Sequence, residues 1–204
     1  MLTIEAKNIT KKFNHLQIIA DFSYQFKSDI IYGIVGNNGS GKSTLLKIIA
    51  GFITPNKGEV SYHFNQQKIP VEVIYKQLSF IAPYIDLIED FDITEHLLFH
   101  FSHKKSILQD HRDIIELMQL PAHKKIKDFS SGMKQKFKLT LAILTESDFL
   151  LIDEPGSFLD NATKIYYNYL LQQFQKNRMI IIASNEKNDL ESCKEIINIE
   201  DYKK

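Results

Sequence analysis

Arginine is scarce in this chain: Arg112 and Arg178 are the only two among 204 residues, and the rest of the positive charge is lysine. Cysteine is scarcer still. The single Cys193 excludes an internal disulfide and fits a reducing compartment, and with only Lys194 as a candidate activating neighbour it reads as inert. No apolar run approaches the length of a membrane span, and the opening residues 2–9 alternate apolar and polar like a strand, unlike a signal-peptide core. Excess charge is missing too. Lys+Arg and Asp+Glu are 25 each, so the basic surplus of a nucleic-acid binder is absent and no nucleic-acid partner is expected. There is no internal repeat and no low-complexity linker. What remains is an ordinary globular composition, 44% hydrophobic and 25% charged, long enough for a full core. It implies one domain, or one domain with a lobe, in the cytoplasm.

The most informative stretch is Gly36-Asn37-Asn38-Gly39-Ser40-Gly41-Lys42-Ser43-Thr44. An apolar run, residues 30–35, precedes it and another, residues 45–50, follows, which gives strand, glycine-rich turn, helix. Glycines let the backbone adopt positive φ and approach an anion, so successive N–H groups form a nest for phosphate oxygens. The helix beginning near Lys42 adds its positive end to the same place. Lys42 is expected to reach the β- and γ-phosphates of the ligand, and the Ser43 hydroxyl to ligate Mg²⁺.

Further strands are expected over residues 18–26, 59–64, 71–75 and 78–82, the last three antiparallel because their connections are too short for crossovers. From Asp92 the pattern becomes helical. Asp92 is a candidate N-cap, with Ile93, Leu97, Leu98 and Phe101 at helical spacing. A helix is expected over 106–118, and Ser130 should cap another that reaches about Thr145. The core resumes with a strand at 149–152, a helix at 160–175, and strands at 179–183 and 196–199. Apolar strands alternating with helices argue for an α/β fold: a P-loop core with a mainly parallel sheet, an antiparallel β subdomain and a helical lobe at about 84–146. The strand ending in Asp153-Glu154 carries two carboxylates to the end of a parallel sheet where ligands bind, with Asp153 for Mg²⁺ and Glu154 as general base toward water.

With Ser130-Ser131-Gly132-Met133 opening a helix, Asp153-Glu154-Pro155, and Ser157-Phe158-Leu159-Asp160 in this order, the chain resembles the ATP-binding subunit of an ABC transporter over essentially its whole length. The resemblance implies an ATPase powering a separate membrane permease, attached to the inner face of the cell membrane. It also implies a head-to-tail dimer, of this chain or with a paired ATPase subunit, enclosing two ATP molecules. Ser130 and Gly132 would then meet the γ-phosphate on the partner, and Asp160 would link the two sites. The scarcity of arginine agrees, since no arginine finger is needed there. The family places an aromatic on adenine where Phe13 stands, and a core role for Phe13 is the competing reading. Such stacking separates ATP from GTP poorly.

The chain departs from the family pattern in three respects. Ser131 and Met133 replace Gly and Gln in the signature, Pro83 stands near the expected glutamine, and Asn185 takes the place of a histidine. Asp86 or a backbone carbonyl is the expected substitute for the glutamine. Asn185 can donate to phosphate but carries no charge, so slow or partner-dependent hydrolysis is expected. A soluble ABC-type ATPase and a weakly hydrolysing regulatory subunit are the alternatives. His96, His100 and His103 share a helix face, but without neighbouring cysteines they read as structural. Lys124-Lys125 and Lys203-Lys204 read as solvated charge, and the tyrosines 166, 167 and 169 as packing.

Overall fold

A computed structural model describes residues 1–156 and 159–203. The chain folds as two compact units, Met1–Phe80 with Ser147–Pro155 and Lys176–Lys204, and Ile81–Glu146 with Gly156–Gln175.

The first unit holds strands β1 (Leu2–Phe13), β2 (Leu16–Lys27), β3 (Ile31–Val35), β4 (Lys57–Phe64), β5 (Gln67–Ile69), β6 (Leu78–Ile81), β7 (Phe149–Asp153), β8 (Met179–Ala183) and β9 (Glu195–Asn198), with helix α1 (Lys42–Ile49). A four-stranded sheet runs in the order β2-β1-β4-β5 and is antiparallel, and a five-stranded sheet runs β6-β7-β8-β3-β9. β3 pairs parallel with β8 and β9, and β7 pairs parallel with β8. β7 and β8 are buried at every position, as expected of strands covered on both faces. β1 instead alternates, with Leu2, Ile4 and Ala6 buried. Its register slips at Lys7 and Asn8, where Asn8 takes φ 50°, and the bulge returns Ile9 to the core. Both sheets and the inner face of α1 (Leu45, Leu46, Ile48, Ile49) close one core.

The second unit is helical: α2 (Ile93–His103), α3 (His111–Met118), α4 (Ser131–Leu144) and α5 (Asn161–Phe174). Ile93, Leu97, Ile114, Met118, Phe137 and Leu141 form its centre. A capping box starts α2: Asp92 Oδ1 accepts from Glu95 N at 2.9 Å and Glu95 Oε2 accepts from Asp92 N at 2.9 Å. Ser130 caps α4 by accepting from Met133 N at 3.2 Å.

Four sequence expectations need correction. The expected strand at 71–75 is a 3-10 turn, Val71–Lys76, that follows the fixed φ of Pro70 and buries only Ile74. The strand in that region is β5, joined to β4 by Asn65 and Gln66, both at positive φ as a tight hairpin requires. β6 lies at the edge of the five-stranded sheet and not in the antiparallel one. Residues 106–110 are not helical: Ser106 bridges Thr145 and Ile107 N donates to Leu144 O, so α3 begins only where Asp110 caps it. Helix α5, expected with the core, groups with the helical unit, where Thr140 and Tyr166 hydroxyls hydrogen-bond at 2.8 Å and Lys136 lies over the Tyr166 ring. Smaller boundary shifts extend β1 to Phe13 and place Ile199 in a 3-10 turn after β9.

Candidate functional site

The loop between β3 and α1 is shaped by glycine. Gly41, at the N-terminus of α1, has φ 106°, and a Cβ there would lie 2.7 Å from Ile18 Cγ2. At Gly36 (φ 152°) a Cβ would lie 2.6 Å from Ser40 Oγ and 2.8 Å from Ile199 Cγ2. No other residue type fits either place without displacing its neighbours. Ser40 N donates to Asn37 O at 3.0 Å and closes the turn. Lys42 is 4% exposed, and its Nζ donates to Gly36 O at 2.8 Å and Asn37 O at 3.3 Å. With no side-chain cap on α1, the N–H groups at its start remain the natural seat for an anion.

Around this loop the first unit brings together most of the residues singled out in the sequence. A cavity of about 240 Å³ is lined by Phe13, Ile18, residues 38–44 and Glu154. Phe13 is 46% exposed, so it is not a core aromatic, and the Lys11 ammonium sits 5.1 Å from its ring centroid. Asn185, beyond β8, donates its amide to Asn38 Oδ1 at 3.1 Å and so touches the loop directly. Glu154 adopts φ 47°, an uncommon conformation for a non-glycine residue, and its N–H donates to Ala183 O at 2.8 Å. Its Oε1 stands 4.0 Å from Lys42 Nζ.

Asp153 ends β7 and is 1% exposed. Burial pushes its carboxyl above the usual range, the Ser43 side-chain hydrogen bond lowers it, the Glu154 charge raises it, and Lys42 and Lys47 lower it. Asp153 Oδ1 is buried with no hydrogen-bond partner among the described residues. A buried, partly unsatisfied carboxylate beside a serine hydroxyl fits the few protein ligands that Mg²⁺ takes, the others coming from phosphate and water. Among the described residues no group of three or more His, Cys, Asp or Glu could hold a metal by itself.

Ser130, Gly132, Asp160 and Pro83 belong to the second unit. Gly132 lies in the first turn of α4 behind the Ser130 cap. Asp160 caps α5, accepting from Thr163 N at 2.8 Å, and that bond holds its carboxyl below the usual range. Ser157 and Phe158 lie outside the described residues. Pro83 O, where the glutamine was expected, accepts from Lys138 Nζ at 3.1 Å. Asp86 lines a cavity of about 360 Å³ with Ile85, Leu87, Glu89, Lys134 and Lys138.

The three histidines of α2 have separate structural settings. His96 Nε2 accepts from Ile88 N at 3.3 Å, His100 Nε2 meets Thr145 Oγ1 at 2.8 Å, and exposed His103 meets Ser102. Burial pushes the Cys193 thiol up to about 12, with Asp189 adding to it. Sequence reading missed Ile18, which lines the cavity, and Glu200, which accepts from Asn37 Nδ2 at 2.8 Å. Nothing in local spacing signals either one.

A glycine-rich loop between a parallel strand and a helix, with a buried carboxylate ending β7, defines a P-loop nucleoside-triphosphate-binding protein. Within that class the chain belongs to the ABC transporter family, whose pattern matches residues 19–157. It is 31% identical over 204 residues to an uncharacterized ABC transporter ATP-binding protein, YybJ, of Bacillus subtilis (strain 168), spanning 95% of this chain and 90% of that one. Its fold matches a putative ABC transporter ATP-binding protein from Pyrococcus furiosus with TM-score 0.84 at 20% identity, covering 99% of this chain and 100% of that one. It also matches a dimeric, post-hydrolysis ATP-binding cassette, MJ0796, bound to ADP and Pi, with TM-score 0.80 at 20% identity over 98% of this chain and 95% of that one. The chain is thus an ATP-binding subunit and an ATPase of the ABC class. No described helix is long and apolar enough to cross a membrane.

Proposed function

We propose that this chain powers a separate membrane permease by closing with a second ATPase subunit, either a copy of itself or a paired chain, around ATP. The observation that carries the reading is the set of Phe13, the loop 36–44, Asp153 and Glu154 gathered in one unit. Phe13 would stack on the adenine. Loop N–H groups and Lys42 would hold the phosphates, with Lys42 exchanging its present carbonyl partners for phosphate oxygens. Ser43 and Asp153 would hold Mg²⁺, which when bound supplies charge neutralisation at the β- and γ-oxygens. Glu154 would accept the proton of the attacking water. Ser130 and Gly132 would present the start of α4 to the partner's γ-phosphate, and Asp160 would connect the two sites.

Residues 1–204 would act as a single ATP-binding domain with a helical lobe, at the inner face of the cell membrane. For the permease contact we favour the helical unit. There Tyr84 (50%), Leu98 (58%) and Phe99 (49%) are exposed apolar side chains in the same unit as the charged cavity holding Lys134 and Lys138. Asn185 meets phosphate only as a neutral donor, and Pro83 offers a carbonyl in place of a glutamine amide, so turnover by the isolated subunit would be slow. The test has two arms. Glu154→Gln should retain ATP while lowering Mg-dependent hydrolysis about 10²- to 10⁴-fold. A rate equal to wild type removes Glu154 as base. Tagged protein taken from native membranes in mild detergent should carry a multi-span protein with it. Recovery of soluble partners only would favour the soluble ATPase reading.

A further inference from the structure

The last described turn of the chain is built against the phosphate loop. After β9, a 3-10 turn runs Ile199–Tyr202, capped by Asn198 Oδ1 accepting from Glu200 N at 3.1 Å. Two anchors fix it. Ile199 is 0% exposed and its Cγ2 stands 2.8 Å from where a Gly36 Cβ would be, so it forms the wall behind the loop's first glycine. Tyr202 packs edge-on against Phe22 with centroids 4.7 Å apart. Between these anchors Glu200 Oε1 accepts from Asn37 Nδ2 at 2.8 Å and from Asn37 N at 3.3 Å. The same Asn37, through its carbonyl, accepts from Ser40 N at 3.0 Å and from Lys42 Nζ at 3.3 Å. A single loop residue is therefore tied outward to the C-terminal turn and inward to the lysine that meets phosphate.

We propose that Glu200 is a positioning residue that sets the phosphate loop for ATP through Asn37. Asn37 falls at one of the unspecified positions of the loop pattern, so nothing about phosphate chemistry requires its side chain there. Its N–H and amide are free to be held from behind while the N–H groups nearer α1 serve the ligand. Holding the loop in its binding shape before the nucleotide arrives removes ordering cost from the binding step. The carboxylate has an opposing effect, since a negative charge near a triphosphate site repels the ligand. Glutamine separates the two effects because it keeps an acceptor oxygen and drops the charge.

The inference rests on reading residues 36–44 as the ATP site, and the test keeps the two apart. ATP affinity by calorimetry and amide exchange of residues 36–44 without nucleotide are measured on the full chain for wild type, Glu200→Ala, Glu200→Gln and Asn37→Ala. Glu200→Ala should weaken ATP binding about tenfold, in keeping with loss of a charge-assisted hydrogen bond, and speed exchange in the loop. Glu200→Gln should stay within about threefold of wild type in both readouts. The double variant with Asn37→Ala should be no worse than Glu200→Ala alone, because that single variant already removes both bonds to Asn37, including the side-chain one that Asn37→Ala removes. In steady state the KM for ATP should rise more than kcat falls. Unchanged affinity and exchange in Glu200→Ala, or a fall in melting temperature alone, overturns the role. Tighter ATP binding in both Ala and Gln variants overturns it in favour of simple repulsion. A wild-type chain that does not bind ATP overturns the site reading and this inference together.

Discussion

Replacing Phe13 by alanine separates recognition of the base from recognition of the phosphates. Phe13 ends β1, is 46% exposed, and opens onto the cavity that also contains the loop 38–44. Stacking a base on an aromatic contributes about 1–3 kcal/mol. The Lys11 ammonium, 5.1 Å from the ring centroid, already engages the ring, which argues for the lower half of that range. Phe13→Ala should therefore weaken ATP binding by about 1–2 kcal/mol, or roughly 5- to 30-fold. Because the side chain is half in solvent, its loss should cost the fold only about 1 kcal/mol. Calorimetric titration with ATP, GTP and inorganic tripolyphosphate, beside a denaturant melt, gives the needed comparison. ATP and GTP should weaken together while tripolyphosphate, which has no base, binds as in wild type. Tripolyphosphate weakening in parallel with ATP would refute stacking and make the change a disturbance of the loop. ATP affinity equal to wild type would refute a role for Phe13 altogether.

Two titratable groups give further expectations. Asp153 has its carboxyl raised by burial, so its ionised form is the one the fold disfavours. Asp153→Asn should thus make the nucleotide-free protein more stable at neutral pH, an advantage that shrinks as pH falls from the raised value toward the ordinary aspartate range and is gone below it, while abolishing the Mg²⁺ dependence of ATP binding. Equal denaturant midpoints at pH 7 would contradict it. His100 runs the other way: burial lowers its pKa from 6.5 to about 4, with His96, Lys104 and His103 adding to the effect. Its neutral form is the folded one, so the stability it contributes is complete above pH 6.5 and is lost as pH falls toward 4, about 3 kcal/mol at most. Denaturant midpoints from pH 7 to 4.5 should fall in wild type and less steeply in His100→Gln, and identical slopes would refute the assignment.

Much of the architecture was legible because local chemistry and tertiary packing agree. Asp92 and Ser130 cap the helices their positions suggest, and the apolar runs of β3, β7 and β8 form the buried parallel sheet. Legibility failed where a local pattern was overridden. Val71, Val73 and Tyr75 alternate as a strand would, yet Pro70 and the exposure of all three leave them in a 3-10 turn. The helical pattern starting at Ser106 loses its first residues to pairing with the end of α4, a contact 39 positions away in the Ser106–Thr145 bridge. At the candidate site, the glycines, Lys42, Ser43, Asp153 and Glu154 could be singled out in advance because phosphate and metal chemistry would dictate their type and order, and the fold brings them together. Glu200 was not. It meets Asn37 across 163 residues through a turn that only the folded sheet brings back.

In the proposed mechanism ATP joins two subunits. Its most direct measurement is the solution mass of Glu154→Gln, by light scattering during gel filtration, without nucleotide and then with Mg-ATP and Mg-ADP. The expected masses are that of the 23.7 kDa chain without nucleotide and with ADP, and with ATP either twice that mass, when the chain pairs with itself, or its sum with the mass of a purified companion subunit. ATP bound at full occupancy with the mass still that of one chain, alone and beside the companion, would contradict it.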